Sequence, residues 1–466
     1  MKIVILGAGQ VGSTLAGLLA SEPGRDITLV DTDANKLHDL QEKLDIRTVA
    51  GLASHPAVLE RADVENADML LAVTNSDEVN MVACQLAWKL YHTPMKIARL
   101  RAREYKDQPE IFSEGYFKID VVISPENLIQ EHIRRLVALP GALQVLDFAE
   151  GRVRLVALRA MRGGLLIGRP IRDLRDILPE VDARVAAIFR RGQAVAPDGD
   201  TLIEADDEVF FIAARENIRA IMGEFGRMEH PYRNIMIAGG GNIGRGLAKA
   251  LEGQANLKVI EHNPQNAQRL SAELNQALVL GGDATDEDLL REENIEDMDL
   301  FLAVTNDDEN NILSAMLAKR LGARKVMALV NRTAYVDLIE SLAIDVVISP
   351  QLITVSALLA HLRRGHVVAA HSLRRGAAEA MEITAIGDKL TSRVVGRRVG
   401  ELKLPAGVSV GAIVREGKGE GEGTQVIIAH HDTLIASDDH VILFLADKRQ
   451  VREVEQLFQV GFSFFG

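Results

Sequence analysis

An internal duplication is the feature that most constrains how this chain can fold. Three blocks recur in the same order, pairing residues 2–20 with 234–252, 70–90 with 300–321, and 119–126 with 344–351. Their nearly constant spacing makes chance a poor explanation. A weaker match of residues 202–213 to 434–446 extends the duplication into the segments that follow. The order of modules is therefore A–B–A′–B′.

This order predicts four domains, which suits a chain of 466 residues at roughly 100–200 residues per domain. Each A module alternates β-branched runs with amphipathic helical segments, the pattern of an α/β doubly wound parallel sheet. Each B module has shorter strands and an acidic turn, which predicts a small α+β domain. The expected boundaries are 1–140 and 232–365 for the A modules, and 141–228 and 366–455 for the B modules.

Composition excludes several classes of protein. The net charge of −13 opposes general nucleic-acid binding, which needs a basic face. Cys84 is the only cysteine, so neither an intrachain disulfide nor a cysteine-rich metal site is expected. The amino terminus lacks the pattern of a signal peptide, and no apolar run reaches the ~20 residues of a membrane helix. We expect a soluble protein whose membrane association, if any, comes through a partner.

The first A module carries a dinucleotide-binding glycine loop. Its residues follow a predicted strand and open a helix: Gly7, Ala8, Gly9, Gln10, Val11 and Gly12. The glycines allow a tight turn, a close approach of pyrophosphate and close helix packing, while the helix start favours an anion. Asp31 ends the next predicted strand. A carboxylate there is expected to accept the ribose hydroxyls and to favour NAD over a 2′-phosphorylated cofactor.

The second A module repeats both features. Its loop consists of Gly239, Gly240, Gly241, Asn242, Ile243 and Gly244, and Glu261 stands where Asp31 stands in the first copy. Recurrence of loop and acid strengthens the prediction of a Rossmann-like nucleotide site in each module. The alternative is that one or both loops are relic turns that bind no ligand.

Further candidates follow other predicted strands, at the sheet edge where such folds bind ligands. Thr74 and Asn75 end the fourth strand of the first module, and Thr305 ends that of the second. They are expected to reach phosphate or ribose, or else only to cap the next helix. Asp283 follows a third strand and is expected near adenosine, whereas Leu52 at the matching place has no carboxylate. The two sites are therefore not equivalent.

Arginines distinguish the first module from the second. Arg99, Arg101 and Arg103 follow its fifth strand, where the second module is expected to have Ala328, Val330 and Arg332. Because guanidinium binds phosphate through a planar fork, we expect the first module to separate ATP from ADP or NADH. The second is expected to bind more weakly or less selectively. Any one of these arginines is alternatively a solvated surface residue.

The last helix of each A module has an apolar stripe without an obvious partner. The stripes consist of Leu128, Ile129, His132, Ile133 and Leu136, and of Leu352, Val355, Leu358, Leu359 and Leu362. We expect both to pack between lobes, with packing inside one domain as the alternative.

Catalytic and metal-binding patterns are missing from the sequence. We find no phosphate-binding Gly-Lys-Ser/Thr motif, no HExxH and no GxSxG, and the histidines have no acid partners at triad or metal spacing. No catalytic residue and no metal ligand is therefore assigned. Two nucleotide modules without a catalytic domain favour a sensor over an NAD-dependent enzyme. A nucleotide-sensing scaffold or transcription regulator is the third hypothesis, which the acidic charge opposes.

These features resemble the RCK family, the regulators of potassium conductance, over essentially the whole chain. The resemblance rests on residues 29–32, 72–74, 77–78, 123–126, 187–190 and 392–396. The fused double copy is similar to peripheral subunits of bacterial Trk-type potassium uptake systems. Two Rossmann-like RCK N-terminal domains, each followed by an RCK C-terminal domain, are then implied. The resemblance assigns nucleotide contacts to Gly7, Gly9, Gly12, Asp31, Thr74 and Arg99, and to Gly239, Gly241, Gly244, Glu261, Asp283 and Thr305.

The family also implies a mode of action. Its members bind NAD(H) and ATP or ADP, assemble into rings, here as an expected homotetramer, and gate a membrane potassium-translocating subunit. That subunit is expected to be of the TrkH or TrkG type. The resemblance places the protein on the cytoplasmic face of the inner membrane, as a regulatory subunit and not an enzyme.

Overall fold

The computed structural model describes residues 1–22, 24–112, 115–195, 197–225, 230–332, 335, 344–363, 366–373, 378–417 and 423–460. Within them lie four sheets, two parallel and two antiparallel, in the order that the duplication predicts. The predicted fold class is confirmed. Each sheet falls inside one of the four predicted ranges, while the boundaries between the ranges stay predictions.

The first Rossmann lobe has six parallel strands. They are β1 (Lys2–Leu6), β2 (Asp26–Asp31), β3 (Arg47–Ala50), β4 (Met69–Ala72), β5 (Met95–Arg99) and β6 (Val121–Ile123). Their order β3-β2-β1-β4-β5-β6 is that of a doubly wound dinucleotide fold. The helices are α1 (Gln10–Ala20), α2 (Ala34–Lys43), α3 (Pro56–Arg61), α4 (Asp77–Lys89), α5 (Arg103–Lys106) and α6 (Pro125–Ala138). Leu15 of α1 and Cys84 of α4 lie in separate cores on opposite sheet faces.

The second Rossmann lobe repeats this architecture. Its strands are β12 (Asn234–Ala238), β13 (Asn256–Glu261), β14 (Leu278–Gly281), β15 (Leu300–Ala303), β16 (Lys325–Leu329) and β17 (Val346–Ile348). The order β14-β13-β12-β15-β16-β17 matches the first sheet strand for strand. Its described helices are α9 (Asn242–Leu251), α10 (Pro264–Glu273), α11 (Glu287–Glu292), α12 (Asp308–Arg320) and α13 (Pro350–Leu362).

The C-terminal lobes are small antiparallel sheets with few helices. The first contains β7 (Ala142–Phe148), β8 (Val153–Arg159), β9 (Ala183–Arg190), β10 (Gln193–Val195), β11 (Glu208–Ala214), α7 (Leu174–Ile177) and α8 (Ile218–Phe225). The second contains β18 (Val367–Leu373), β19 (Ala378–Thr384), β20 (Val408–Arg415), β21 (Gln425–Ile428), β22 (His440–Leu445) and α14 (Val451–Phe458). One face of each sheet packs on the other in a shared core around Phe210 and Phe444.

The last helix of each Rossmann lobe crosses to the opposite half. Ile129, Ile133 and Leu136 of α6 belong to a core formed by the first C-terminal and second Rossmann lobes. Val355 and Leu358 of α13 belong to the core of the first Rossmann and second C-terminal lobes. The prediction that both stripes pack between lobes is confirmed. We call the first of these interfaces the first junction and the other the second junction.

Candidate functional site

Both glycine loops have the backbone geometry that the motif requires. Gly7 and Gly239 have φ values of +104° and +107°, a region that side chains other than glycine rarely enter. A Cβ on Gly12 would lie 1.8 Å from the carbonyl oxygen of Gly7, and one on Gly244 would lie 1.8 Å from that of Gly239. A third glycine is therefore obligatory in each loop. The helices that follow begin at Gln10 and Asn242, and their N-cap residues Gly9 and Gly241 provide no side-chain cap.

The predicted ribose acids brace these loops. Asp31 Oδ2 accepts the amide of Ala8 at 2.6 Å, and Glu261 Oε2 accepts the amide of Gly240 at 2.7 Å. The second oxygen of each carboxylate accepts an amide two residues further along the chain. Because an ionised carboxylate has about four acceptor positions, lone pairs remain for a ligand. Each acid thus connects its loop to the end of the neighbouring strand.

Thr74 and Thr305 are engaged within the protein. Thr74 Oγ1 donates to Asn80 Oδ1 at 2.7 Å, and Thr305 Oγ1 donates to Asn311 Oδ1 at 2.7 Å. The backbone of Thr74 lies against Gly7, and that of Thr305 against Gly239. The threonines therefore hold the strand end against the glycine loop. A ligand role for them stays a prediction, and Asn75 lies one residue further out, beside a crevice between the lobes.

Sequence reasoning missed two pairs of buried polar residues at the carboxyl ends of the parallel strands. Asn80 Nδ2 donates to the carbonyl of Arg99 at 2.8 Å, and Asn311 Nδ2 donates to that of Leu329 at 2.9 Å. Asp77 Oδ2 accepts the amide of Arg101 at 2.8 Å, and Asp308 accepts amides at the matching place. The available signal was recurrence, because both residue types occur at equal distances from the threonine in both copies. These residues connect the ends of the fourth and fifth strands.

The structure corrects the sequence alignment after the fifth strands. In the register of the two parallel sheets, Arg99 lies beside Ile123 of β6, and Leu329 lies beside Ile348 of β17. Leu329 is therefore the counterpart of Arg99. The expectation that Ala328 occupies this place is wrong by one residue. By the same register Asn331 corresponds to Arg101, and Val330 is buried. The first half still has charged residues, Arg99 and Arg101, where the second half has the uncharged Leu329 and Asn331.

Arg99 and Arg101 lie where the two halves meet, whereas the side chain of Arg103 lies outside the described part of the chain. A cleft of about 920 Å³, which we call the second cleft, opens above the second glycine loop. It is lined by Gly239, Gly241, Asn242, Ile243, Glu261, Asp283 and Thr305. The first half contributes Gln10, Arg99, Arg101 and Glu126 to the same cleft. The end of β5 and the start of α6 thus face a cleft that both halves share, since Gln10 belongs to the first glycine loop. That the arginines equip the first lobe stays a prediction.

Arg99 has an incomplete set of partners. Its Nε is buried and has no hydrogen-bond partner among the described residues. Burial lowers the pKa of Arg99 below its ordinary value, and the neighbouring charge of Arg101 lowers it further. A desolvated guanidinium that faces a cleft is stabilised by an anion, since a charge-assisted hydrogen bond would satisfy the free N–H. The residues present therefore fit a nucleotide phosphate.

Asp283 lines the second cleft, and its expected contact with adenosine stays a prediction. Asp283 Oδ1 accepts the Thr285 amide at 2.9 Å and the Thr285 hydroxyl at 2.8 Å, and these bonds lower the pKa of Asp283. The carboxylate thus stays ionised at the rim of the cleft. Leu52 is exposed at the same place in the first lobe.

Two other features of the described residues bear on function. They contain no helix that is both long and apolar enough to cross a membrane. They also contain no cluster of three or more histidine, cysteine or acidic side chains that is able to hold a metal ion.

Comparisons with known proteins agree with this architecture. Residues 3–125 and 235–350 match the TrkA-N domain family, and residues 155–226 and 389–459 match the TrkA-C domain family. The chain is 56% identical over 465 residues to the Trk system potassium uptake protein TrkA of Halomonas elongata, covering 100% of both chains. It is 55% identical to the protein of that name from Vibrio alginolyticus, covering 98% of this chain and 99% of that one.

Solved structures show the same fold at low identity. The GsuK RCK domain has a TM-score of 0.59 and 19% identity, with 98% of this chain and 94% of that chain covered. A GsuK channel bound to NAD has a TM-score of 0.59 and 19% identity, with 98% and 78% covered.

Proposed function

The chain belongs to the TrkA family of Trk-system potassium uptake proteins, and we propose that it is the nucleotide-binding regulatory subunit of such a system. It binds NAD(H) and the adenine nucleotides ATP and ADP in its Rossmann lobes. It gates potassium transport by a membrane subunit of the TrkH or TrkG type, is not an enzyme, and acts at the cytoplasmic face of the inner membrane. It self-associates into a ring, as a homotetramer.

One observation carries the proposal of nucleotide binding. The second cleft combines a glycine loop, a carboxylate at the ribose position and an arginine with a free buried N–H, all within one cavity. A helix start and a guanidinium together suit an anionic phosphate chain, whereas Glu261 suits ribose. One structural neighbour is a GsuK channel bound to NAD, which supports the same ligand class.

The crossing helices α6 and α13 connect the nucleotide-binding loops to the arrangement of the lobes. Gln130 of α6 donates to the carbonyl of Asn242 at the start of α9 at 3.1 Å, and Gln351 of α13 donates to that of Gln10 at the start of α1 at 3.0 Å. Each helix therefore touches the loop of the opposite lobe and continues into a C-terminal lobe. A ligand that binds one arrangement of these parts more tightly shifts the population toward it.

The experiment uses a matched pair of loop variants. Gly12→Ala and Gly244→Ala each place a methyl group against a carbonyl oxygen and are expected to abolish binding in one lobe only. Calorimetry with NADH, ATP and ADP reports binding, and circular dichroism checks that each variant folds. Potassium uptake is measured in proteoliposomes that contain the membrane subunit.

The unmodified chain should respond to nucleotide, and the double variant should not. An uptake rate that responds to nucleotide equally in the double variant would overturn the proposal, as would turnover of NADH with a substrate. Light scattering tests the ring, and a stable monomer across micromolar concentrations would contradict it.

A further inference from the structure

A second cavity lies at the first junction, away from the glycine loops. Its volume is about 550 Å³, within the range of pockets that hold one small molecule. Its walls come from the end of α6, from β8 and α8 of the first C-terminal lobe, and from β12 and α9 of the second Rossmann lobe. The proposed nucleotide function does not use this cavity.

The charge of this cavity is opposite to that of the whole chain. Among the described residues that line it are one acid, Glu131, and six arginines, namely Arg134, Arg135, Arg154, Arg159, Arg215 and Arg219. Acids pair with four of these arginines: Glu131 with Arg134 and Arg135, Asp147 with Arg135 and Arg154, and Glu208 with Arg159. Arg215 and Arg219 make no side-chain ion pair within the part of the chain that the structure describes. Arg215 and Arg219, both exposed to solvent, are therefore the cations at the cavity that are left for an anion to bind.

The second junction contains a buried ion-pair triad. There Arg363 fills the interface and bonds Glu379 at 2.6 Å and Glu22 at 2.5 Å, with Arg363 2% and Glu379 3% exposed. The cavity beside that triad measures only about 200 Å³. A buried cation between two carboxylates thus closes the second junction.

The duplication gives the counterparts of this triad at the first junction. Ala138 stands for Arg363, since both lie thirteen residues after the proline that starts their helix. Arg154 stands for Glu379 by strand register, and Gln254 stands for Glu22 by distance from the third loop glycine. All three line the cavity. The cation that closes one junction is therefore absent from the other, and an acidic wall has become basic.

The remaining wall is apolar. Leu158, Met222, Ile235 and Leu251 line the cavity together with the ring of Tyr232. The surface of this ring is largely buried, and Arg324 lies 5.4 Å from its centroid. Inorganic phosphate alone would leave this apolar wall in contact with water.

We propose that the cavity at the first junction binds a small amphipathic organic anion, with its anionic group at Arg215, Arg219 and Arg154 and its apolar body against Tyr232 and Leu251. The ligand takes the place that the Arg363 triad fills at the second junction. It would stabilise the contact between the first C-terminal lobe and the second Rossmann lobe, because a ligand that binds only the closed interface favours it.

The test uses octyl phosphate as the probe, with inorganic phosphate and octanol as comparison ligands, all measured by calorimetry on the full chain. Octyl phosphate should bind, and the other two should bind at least about tenfold more weakly, since each supplies only one of the two contacts. The double variant Arg215→Glu/Arg219→Glu should weaken octyl phosphate at least about tenfold. The matched control Arg393→Glu, an exposed arginine of the second C-terminal lobe, should not.

A second variant tests the comparison itself. Ala138→Arg/Arg154→Glu/Gln254→Glu introduces the residue types of the second junction and should abolish octyl phosphate binding. NADH binding verifies that every variant is folded. Inorganic phosphate binding as tightly as octyl phosphate, or octyl phosphate binding unchanged in Arg215→Glu/Arg219→Glu, would overturn the proposal.

Discussion

The two halves of this chain have the same strands in the same order, yet they differ at both places where a half meets its partner. At the nucleotide edge, the second cleft receives Arg99 and Arg101 from the first half, whereas their counterparts Leu329 and Asn331 are uncharged. At the C-terminal lobes, Arg363 closes one junction and the other contains a cavity. Duplication preserved the backbone, and substitutions of a few side chains made the interfaces unequal.

The largest expected effect is at the second junction. Arg363→Met removes the cation between Glu379 and Glu22, and breaking such a buried pair costs about 3–5 kcal/mol. The matched change Arg135→Met removes a partly exposed pair and should cost about 1 kcal/mol or less. Urea unfolding followed by circular dichroism measures both. A smaller loss for Arg363→Met than for Arg135→Met would contradict the contrast between the junctions.

The same variant has a predicted pH dependence. Burial raises the pKa of Glu379, and the charge of Arg363 opposes this rise. Without Arg363 the pKa rises further above its unfolded value, so the folded state binds the proton more tightly than the unfolded state. Stability from such a group is present below the unfolded pKa and is lost as pH rises through the folded pKa. The deficit of Arg363→Met should therefore be smaller at about pH 5 than at about pH 8.

The next effect concerns the cross-lobe arginines. Arg99→Ala/Arg101→Ala, made in the Gly12→Ala background so that only the second cleft binds, should lower ATP affinity about a hundredfold. NADH affinity should fall less if the arginines contact the end of a triphosphate. Calorimetry measures the affinities for ATP, ADP and NADH, with Arg393→Ala as the control. An unchanged ratio of ATP to ADP affinity would remove both residues from phosphate discrimination.

A smaller effect is expected from the two ribose acids. Asp31→Ala and Glu261→Ala each remove a charged acceptor and leave a loop amide without its partner, which costs roughly 1.5–3 kcal/mol. NADH affinity at the altered lobe should fall about tenfold or more. Since Glu261 is the more buried acid, its removal should have the larger effect. Calorimetry that finds Asp31→Ala unchanged would exclude this residue from the first site.

The smallest effect tests where the halves are interchangeable. Cys84 and its counterpart Ala315 are both buried, so Cys84→Ala introduces the side chain of the other half. It should cost about 1 kcal/mol or less in unfolding free energy. Burial raises the pKa of the Cys84 thiol to about 12, so a thiol-specific reagent should label it only after unfolding. Rapid labelling of the native chain would show that this core opens.

Local sequence patterns were sufficient for the elements and for much of the candidate site. The alternation of β-branched runs with amphipathic helical segments predicted the doubly wound sheets, because short β-branched runs between helices have few other solutions. Glycine spacing likewise predicted the loops, since Gly12 and Gly244 tolerate no side chain there. Asn80 and Asp77 were missed because a polar residue early in a helix usually faces solvent, and only packing shows that these are buried.

By itself, the sequence determined the duplication, the doubly wound sheets, the glycine loops with their acids and two helices whose apolar stripes need a partner. These follow from local spacing and from the need to bury apolar stripes. Only the tertiary structure decided that Arg99 faces the second cleft, that Leu329 is its counterpart, and that one junction is filled while the other is open. Such outcomes depend on how two lobes are placed relative to each other. The sequence pattern around a residue does not show which residue of another lobe it contacts.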